Sequence, residues 1–222
     1  CSMTIQSDQA AQAGARIYSD FTLRFYDLFV LGVSNTFVWQ CPSPRILDFY
    51  NQNVSTNHLD IGVGTGYFLD KCHFSTVDPQ ISLLDLNPTS LKVTVNRLAR
   101  YHPAAYVANV LDPLPSSLPT FDSIGLNYLI HCLPGSMREK QVVFKNLTPF
   151  LNPGGVLFGT TILGQGTPKN VFAKTLMRFY NQKGIFGNAN DTLVDLEYSL
   201  QRNFPTYSLK VVGCVAFFAA KL

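Results

Sequence analysis

Long apolar runs are missing from this chain, and so are runs of like charge. No stretch approaches the roughly 18 residues that a membrane-spanning helix needs. The longest candidate, Val211 to Ala220, has the length of a strand, so no membrane anchor is expected. Asp, Glu, Lys and Arg supply only 14% of the residues, and 17 basic against 14 acidic side chains leave a net charge of +3. The basic residues are scattered, without the stripe that follows a phosphate backbone, so nucleic acid is not an expected partner. Cysteine is sparse and dispersed. Cys1, Cys41, Cys72, Cys132 and Cys214 form no CxxC pair, and His58, His73, His102 and His131 lack a local ligand pattern, so no metal site is expected. An odd, scattered set of thiols suits a reducing compartment, and a cytoplasmic location is expected. The polar, Ala/Gln-rich start does not read as a signal peptide, and Met3 is the expected native first residue.

What the chain does have is apolar content and a repeating rhythm. Hydrophobic residues make up 46% of 222 positions, enough to bury the core of a single α/β domain. Ile17, Phe21, Phe25, Leu28 and Phe29 recur near the helical period, which predicts a helix over 15–33. A second short helix is predicted over 43–50, with Pro44 in its first turn. Residues 1–55 therefore read as an N-terminal helical cap on a core spanning 56–222. Strands are predicted over 57–61, 82–86, 105–110, 121–127 and 156–161, with helices over 66–72, 88–101 and 137–151 between them. Such alternation implies a parallel sheet with right-handed crossovers. After helices over 169–182 and 193–203, two apolar runs meet near Gly213, which predicts a closing antiparallel hairpin.

Two features carry chemistry. Asp60-Ile61-Gly62-Val63-Gly64-Thr65-Gly66 follows a strand and opens a helix. Glycines at alternating positions let a backbone turn tightly and approach a ligand closely, and free N–H groups at the helix start suit an anion. A generic strand-to-helix turn would look the same, and the spacing is GxGxG rather than the GxGxxG of dinucleotide-binding folds. The second feature is Asp85, which ends the next predicted strand. A carboxylate there can accept from both hydroxyls of a ribose, although a surface Asp near the start of the next helix would also fit.

Taken in order, Asp60–Gly66, Leu84-Asp85-Leu86-Asn87-Pro88, Ala108-Asn109-Val110-Leu111, Phe121-Asp122-Ser123-Ile124 and Leu151-Asn-Pro-Gly-Gly155 resemble a class I S-adenosylmethionine-dependent methyltransferase. The resemblance implies a Rossmann-like, seven-stranded, mostly parallel sheet with an antiparallel C-terminal strand, and S-adenosylmethionine as cofactor. It also implies residue roles. Asp60 and the backbone of Gly62, Gly64 and Gly66 would hold the methionine end, Asp85 the ribose, and Leu86, Asn109 and Val110 the adenine. Asn109 stands where the family often has Asp.

The stretch 127–132 follows the fourth strand, where such folds bring cofactor and acceptor together. Asn127 is assigned to the cofactor and Tyr128 to the acceptor. The Asn/Asp-Pro-Pro-aromatic sequence of nucleic-acid amino methylases is lacking here. His131 titrates near neutrality in its free form and is the candidate general base, with a buried structural histidine as the plain alternative. Among the N-terminal aromatics, Tyr26-Asp27 is similar to an aromatic–Asp pair of ubiquinone/menaquinone-type methyltransferases and is assigned to the cofactor. Tyr18 and Trp39 are assigned to an apolar acceptor pocket. The expected activity is methyl transfer to a small, fairly apolar acceptor, with a secondary metabolite as the candidate class. A nicotinamide-dependent oxidoreductase and a non-methylating cofactor-binding or cyclising protein on the same fold are the alternatives.

Overall fold

The computed structural model describes residues 34–222. The helix expected over 15–33 lies outside them. The described chain forms one seven-stranded sheet in the order β3-β2-β1-β4-β5-β7-β6. Its strands are β1 (Asn57–Ile61), β2 (Gln80–Asp85), β3 (Ala104–Val107), β4 (Phe121–Asn127), β5 (Leu151–Ile162), β6 (Thr206–Val212) and β7 (Val215–Lys221). The first five are parallel; β7 runs antiparallel to both β5 and β6.

Central strands covered on both faces become apolar almost continuously. In β1, residues His58 to Ile61 are all buried, and in β2 so are Ile81 to Leu84. Alternation divides them between two layers. Leu59, Ile61, Leu84 and Leu157 join a core with Phe144, Leu196 and Leu200, from α5 (Val142–Leu147) and α7 (Leu193–Asn203). Leu83 and Phe158 face the other way, into a core with Tyr50, Leu69 and Leu91. Those residues come from α1 (Ser43–Asn53), α2 (Tyr67–Lys71) and α3 (Pro88–Arg97).

The helix expected within the cap over 43–50 is α1, and it lies against the sheet. Tyr50 meets Phe158 edge-on at 5.2 Å, and Phe49 meets Phe217 at 5.3 Å. Two further helices differ from expectation. The single helix read over 137–151 is broken into α4 (Met137–Lys140) and α5, and Leu151 already belongs to β5, paired with Phe121. The helix read over 169–182 is α6 (Val171–Gln182), which starts on the Asn170 side chain, the acceptor of the Ala173 N–H.

Chain order reverses between β1 and β4, since β2 and β3 lie to one side and β4, β5, β7 and β6 to the other. In open α/β sheets, ligands bind at the carboxyl ends of the strands at such a switch point.

Candidate active site

At that edge the backbone leaves β1 through three glycines in the left-handed region, Gly62 (φ 68°), Gly64 (φ 54°) and Gly66 (φ 72°). They serve different ends. A side chain on Gly66 would meet Thr94 Cγ2 at 2.6 Å, so this glycine lets the loop pack on α3. One on Gly64 would meet nothing within 4 Å, which leaves the backbone there open to a ligand. The loop is held from behind: the Gly62 N–H donates to the Leu84 carbonyl, Thr94 Oγ1 to the Gly64 carbonyl, and the Arg97 guanidinium to the Thr65 carbonyl.

Asp85 closes β2 next to this loop. Its carboxylate accepts from the backbone N–H of Asn87 at 2.8 Å and from those of Gly64 and Val63. Burial pushes its pKa up to about 6; the three amides oppose the rise, and the charge of Asp60 adds to it. Asn87 caps α3 by accepting from the Thr89 N–H. Beyond β3, Asn109 Oδ1 accepts from the Leu111 N–H, which fixes the turn and leaves a second lone pair on that oxygen.

At the end of β4, Tyr128 has φ of 56°, a conformation that costs a residue with a side chain of order 1–3 kcal/mol. Its backbone N–H donates to Thr160 and its hydroxyl to Asn35 Oδ1 at 3.0 Å. Asn127 accepts from the Thr160 hydroxyl, while its own amide nitrogen is buried with no partner among the described residues. A buried donor left unmade costs about 1–3 kcal/mol.

These residues line one cleft of about 1180 Å³, part of it open to solvent. The side formed by the ends of β1, β2 and β3 carries Gly62, Gly64, Asp85, Asn87 and Asn109 and is the polar end; Asn127 stands next to it at the end of β4. Beyond β4 the other end is apolar, with Leu129, Cys132, Leu133, Pro134 and Ile185, and with Phe68 edge-on to Tyr128. The structure thus brings together Gly62, Gly64, Asp85, Leu86, Asn109, Val110, Asn127 and Tyr128 of the residues singled out in the sequence. Asp60 and Gly66 do not line the cleft; they sit behind the residues that do. Tyr18 and Tyr26 lie outside the described residues.

Two expectations are corrected. Trp39 is 1% exposed and packs on Phe186 in the core between β7 and α6, so it does not reach the acceptor end. His131 is likewise interior, with its ring edge-on to Phe186 at 4.6 Å and its Nδ1 accepting from the Ile162 N–H. Burial, helped by Lys140, lowers its pKa to about 3, so it is a neutral structural histidine and a weak base. The left-handed turn at Tyr128 sends the chain inward, and the following short helical turn, Ile130–Cys132, carries His131 away from the cleft. Ile185, at the apolar end, was missed because it comes from a loop after α6 that carries no motif. Phe68 was missed although it directly follows the glycine loop.

Comparison with known proteins agrees with this geometry. A methyltransferase-domain family matches residues 59–157. The chain is 40% identical to demethylluteothin O-methyltransferase of Streptomyces thioluteus over 213 residues, covering 96% of this chain and 93% of that one. It is 36% identical to the physcion biosynthesis cluster O-methyltransferase of Aspergillus chevalieri, covering 94% and 95%. Among solved structures, the complex of DhpI with S-adenosylhomocysteine shares the fold, with a TM-score of 0.64 at 13% identity over 96% of this chain and 94% of that one. A nicotinamide-dependent oxidoreductase is therefore set aside, and the chain belongs to the class I S-adenosylmethionine-dependent methyltransferases that act on small molecules.

Proposed function

We propose that the protein methylates a hydroxyl oxygen of a small, largely apolar acceptor, and that the cleft at the β1–β4 switch point holds both reactants. The observation that carries this reading is the division of one cleft into a polar and an apolar end, with the unpartnered Asn127 amide between them. The chemistry of the polar end fits S-adenosylmethionine. The backbone at Gly64, open to the cleft, lets the methionine tail approach closely, and Asp85 suits paired ribose hydroxyls. Leu86 and Val110 offer apolar faces for adenine, with Asn109 as acceptor for its amino group.

When bound, the cofactor supplies a methyl group already activated by a sulfonium. The protein's own work is then chiefly alignment and exclusion of water. Tyr128 and Asn127 border the two ends, and Leu129, Leu133, Pro134 and Ile185 present an apolar wall to the acceptor. No protein base is assigned; with His131 buried and neutral, the acceptor hydroxyl would lose its proton to solvent, which favours acidic phenols and enols. The two relatives named above are O-methyltransferases, one of them assigned to a biosynthetic cluster, which supports oxygen as the atom methylated and a secondary metabolite as acceptor. Residues 1–222 are read as one domain working in the cytoplasm. Free thiols at Cys41, Cys72, Cys132 and Cys214 suit that compartment.

The test is a panel of phenols, enols, amines and carbon acids incubated with the protein and S-adenosylmethionine, followed by mass spectrometry of the product. Methylated phenol or enol with matching S-adenosylhomocysteine is expected. Turnover confined to amines or carbon acids would overturn the assignment of oxygen.

A further inference from the structure

Behind the glycine loop, on the face of the sheet covered by α1, lies a chain of buried polar groups that ends on Asp60. The Tyr50 hydroxyl donates to Asp60 Oδ1 at 3.2 Å and lies 2.8 Å from His58 Nε2. His58 Nδ1 is 2.7 Å from Ser123 Oγ. Ser123 Oγ in turn accepts from the Ser55 N–H at 2.8 Å and lies 2.8 Å from the Ser55 hydroxyl, which also reaches the Asn57 carbonyl. Tyr50, His58 and Ser123 are each fully buried, and Asp60 keeps 7% exposure.

Proton accounting gives the chain a direction. Because Tyr50 spends its proton on Asp60, its oxygen must accept from His58, which places the proton of a neutral imidazole on Nε2. Nδ1 is then the acceptor for the Ser123 hydroxyl. Every donor from Ser55 through Ser123, His58 and Tyr50 points toward the same carboxylate, and bonds in such a series polarise one another. Burial and the neighbouring Asp60 charge hold the Tyr50 hydroxyl well above its usual pKa, so it remains a donor.

The strand alongside accommodates this chain. A side chain on Gly125 of β4 would meet Asp60 Oδ1 at 2.8 Å and His58 Cε1 at 3.2 Å, so β4 carries glycine where the network presses against it. Such a network does nothing for an apolar core, which would be better packed by hydrophobic side chains. Its end lies directly behind Ile61 and Gly62, both of which line the cleft.

We infer that Tyr50 and His58 are positioning residues that fix the Asp60 carboxylate, through a one-directional hydrogen-bond chain, as a negative charge behind the cleft wall at Ile61 and Gly62 that attracts the amino end of the cofactor's methionine tail. The inference rests on the cofactor reading above and extends it to residues outside the cleft. It predicts selectivity within one ligand. Loss of the Tyr50 hydroxyl should weaken recognition of the amino-acid tail and leave the nucleoside end untouched.

The experiment is isothermal titration of wild type, Tyr50→Phe and His58→Gln with two ligands. S-adenosylhomocysteine carries the tail, and 5′-methylthioadenosine lacks it. Thermal melts identify variants that have lost the fold, and either variant alone suffices. The expected result is about tenfold weaker S-adenosylhomocysteine binding in the folded variants, the size of one hydrogen bond to a charged group. Methylthioadenosine affinity should stay within about twofold of wild type, below the cost of one hydrogen bond. Equal weakening for both ligands, or unchanged affinity for both, overturns the positioning role. Failure of both variants to fold overturns it too, because the network would then be structural. Wild-type protein that binds neither ligand overturns the cofactor reading itself.

Discussion

Lowering the pH should loosen the grip on the cofactor through one carboxylate. Asp85 is half-buried at the end of β2, and desolvation lifts its pKa to about 6 against three opposing backbone amides. A ribose hydroxyl donates best to the ionised form. Above pH 7 nearly every Asp85 is ionised and affinity should be flat. Below 6 protonation removes the charge and adds a hydrogen that competes with the ligand for the same oxygens. At pH 5, with the pKa at about 6, roughly one molecule in ten keeps the carboxylate ionised, so binding should be about tenfold weaker than at pH 8. Binding favours ionisation, so the loss continues at about tenfold per pH unit until the lower pKa of the complex is reached. The assay is titration with S-adenosylhomocysteine from pH 5 to 8. Asp85→Asn, equal in shape and without a titrating proton, should bind weakly at every pH and show no bend near 6. A flat wild-type profile, or the same bend in Asp85→Asn, would refute the assignment of Asp85 to the ribose.

Other outcomes follow from the same geometry. Gly62→Ala and Gly64→Ala should each cost about 1–2 kcal/mol for a left-handed residue with a side chain. Only the first also drives a methyl group to 2.7 Å from Leu129 Cδ1 in the cleft wall, so titration should find Gly62→Ala the weaker cofactor binder. His131→Asn should lower the melting temperature and change kcat by less than about threefold, because a weak base off the cleft wall contributes little to proton transfer. A hundredfold fall in kcat with the fold intact would restore it as a base. Lys140 and Asp191, each 1% exposed and joined at 2.6 Å, tie α4 to the loop before α7. Lys140→Met should cost about 3–5 kcal/mol in chemical denaturation, because it strands a buried carboxylate. The double variant Lys140→Met/Asp191→Leu should recover most of that loss, and no recovery would contradict the pairing.

Where strand and turn chemistry coincide, the sequence specifies the structure closely. β1 and β4 occupy the expected residues, because a short strand that ends in a glycine loop or at a strained turn has few other registers in a sheet buried on both faces. Tertiary pairing decides elsewhere. β2 starts at Gln80 because Asn57 pairs with it, and β3 stops at Val107 because the Asn109 side chain closes a turn on Leu111. The Asn152–Gly155 turn is absorbed into β5 across a register shift opposite Phe121 and Ser123.

The site divides in the same way. Its cofactor half is written in local motifs, since glycine conformation and a strand-end acid are properties of a few adjacent residues. Its acceptor half is assembled from Leu133 and Ile185, more than fifty residues apart, which no local pattern joins. His131 was misread because sequence gives its distance from β4 but not the handedness of the turn at Tyr128. Tyr50 and His58 escaped notice for a related reason. Only the folded sheet brings α1, β1 and β4 to one carboxylate.

The most direct measurement is a crystal structure of the protein with S-adenosylhomocysteine. Both ribose hydroxyls are expected within about 3 Å of the Asp85 carboxylate, a hydrogen-bonding distance, with the amino-acid tail over Gly62 and Gly64 and the sulfur facing the wall of Leu133 and Ile185. A ligand bound with its sugar away from Asp85, or outside the β1–β4 switch point altogether, would contradict the central claim.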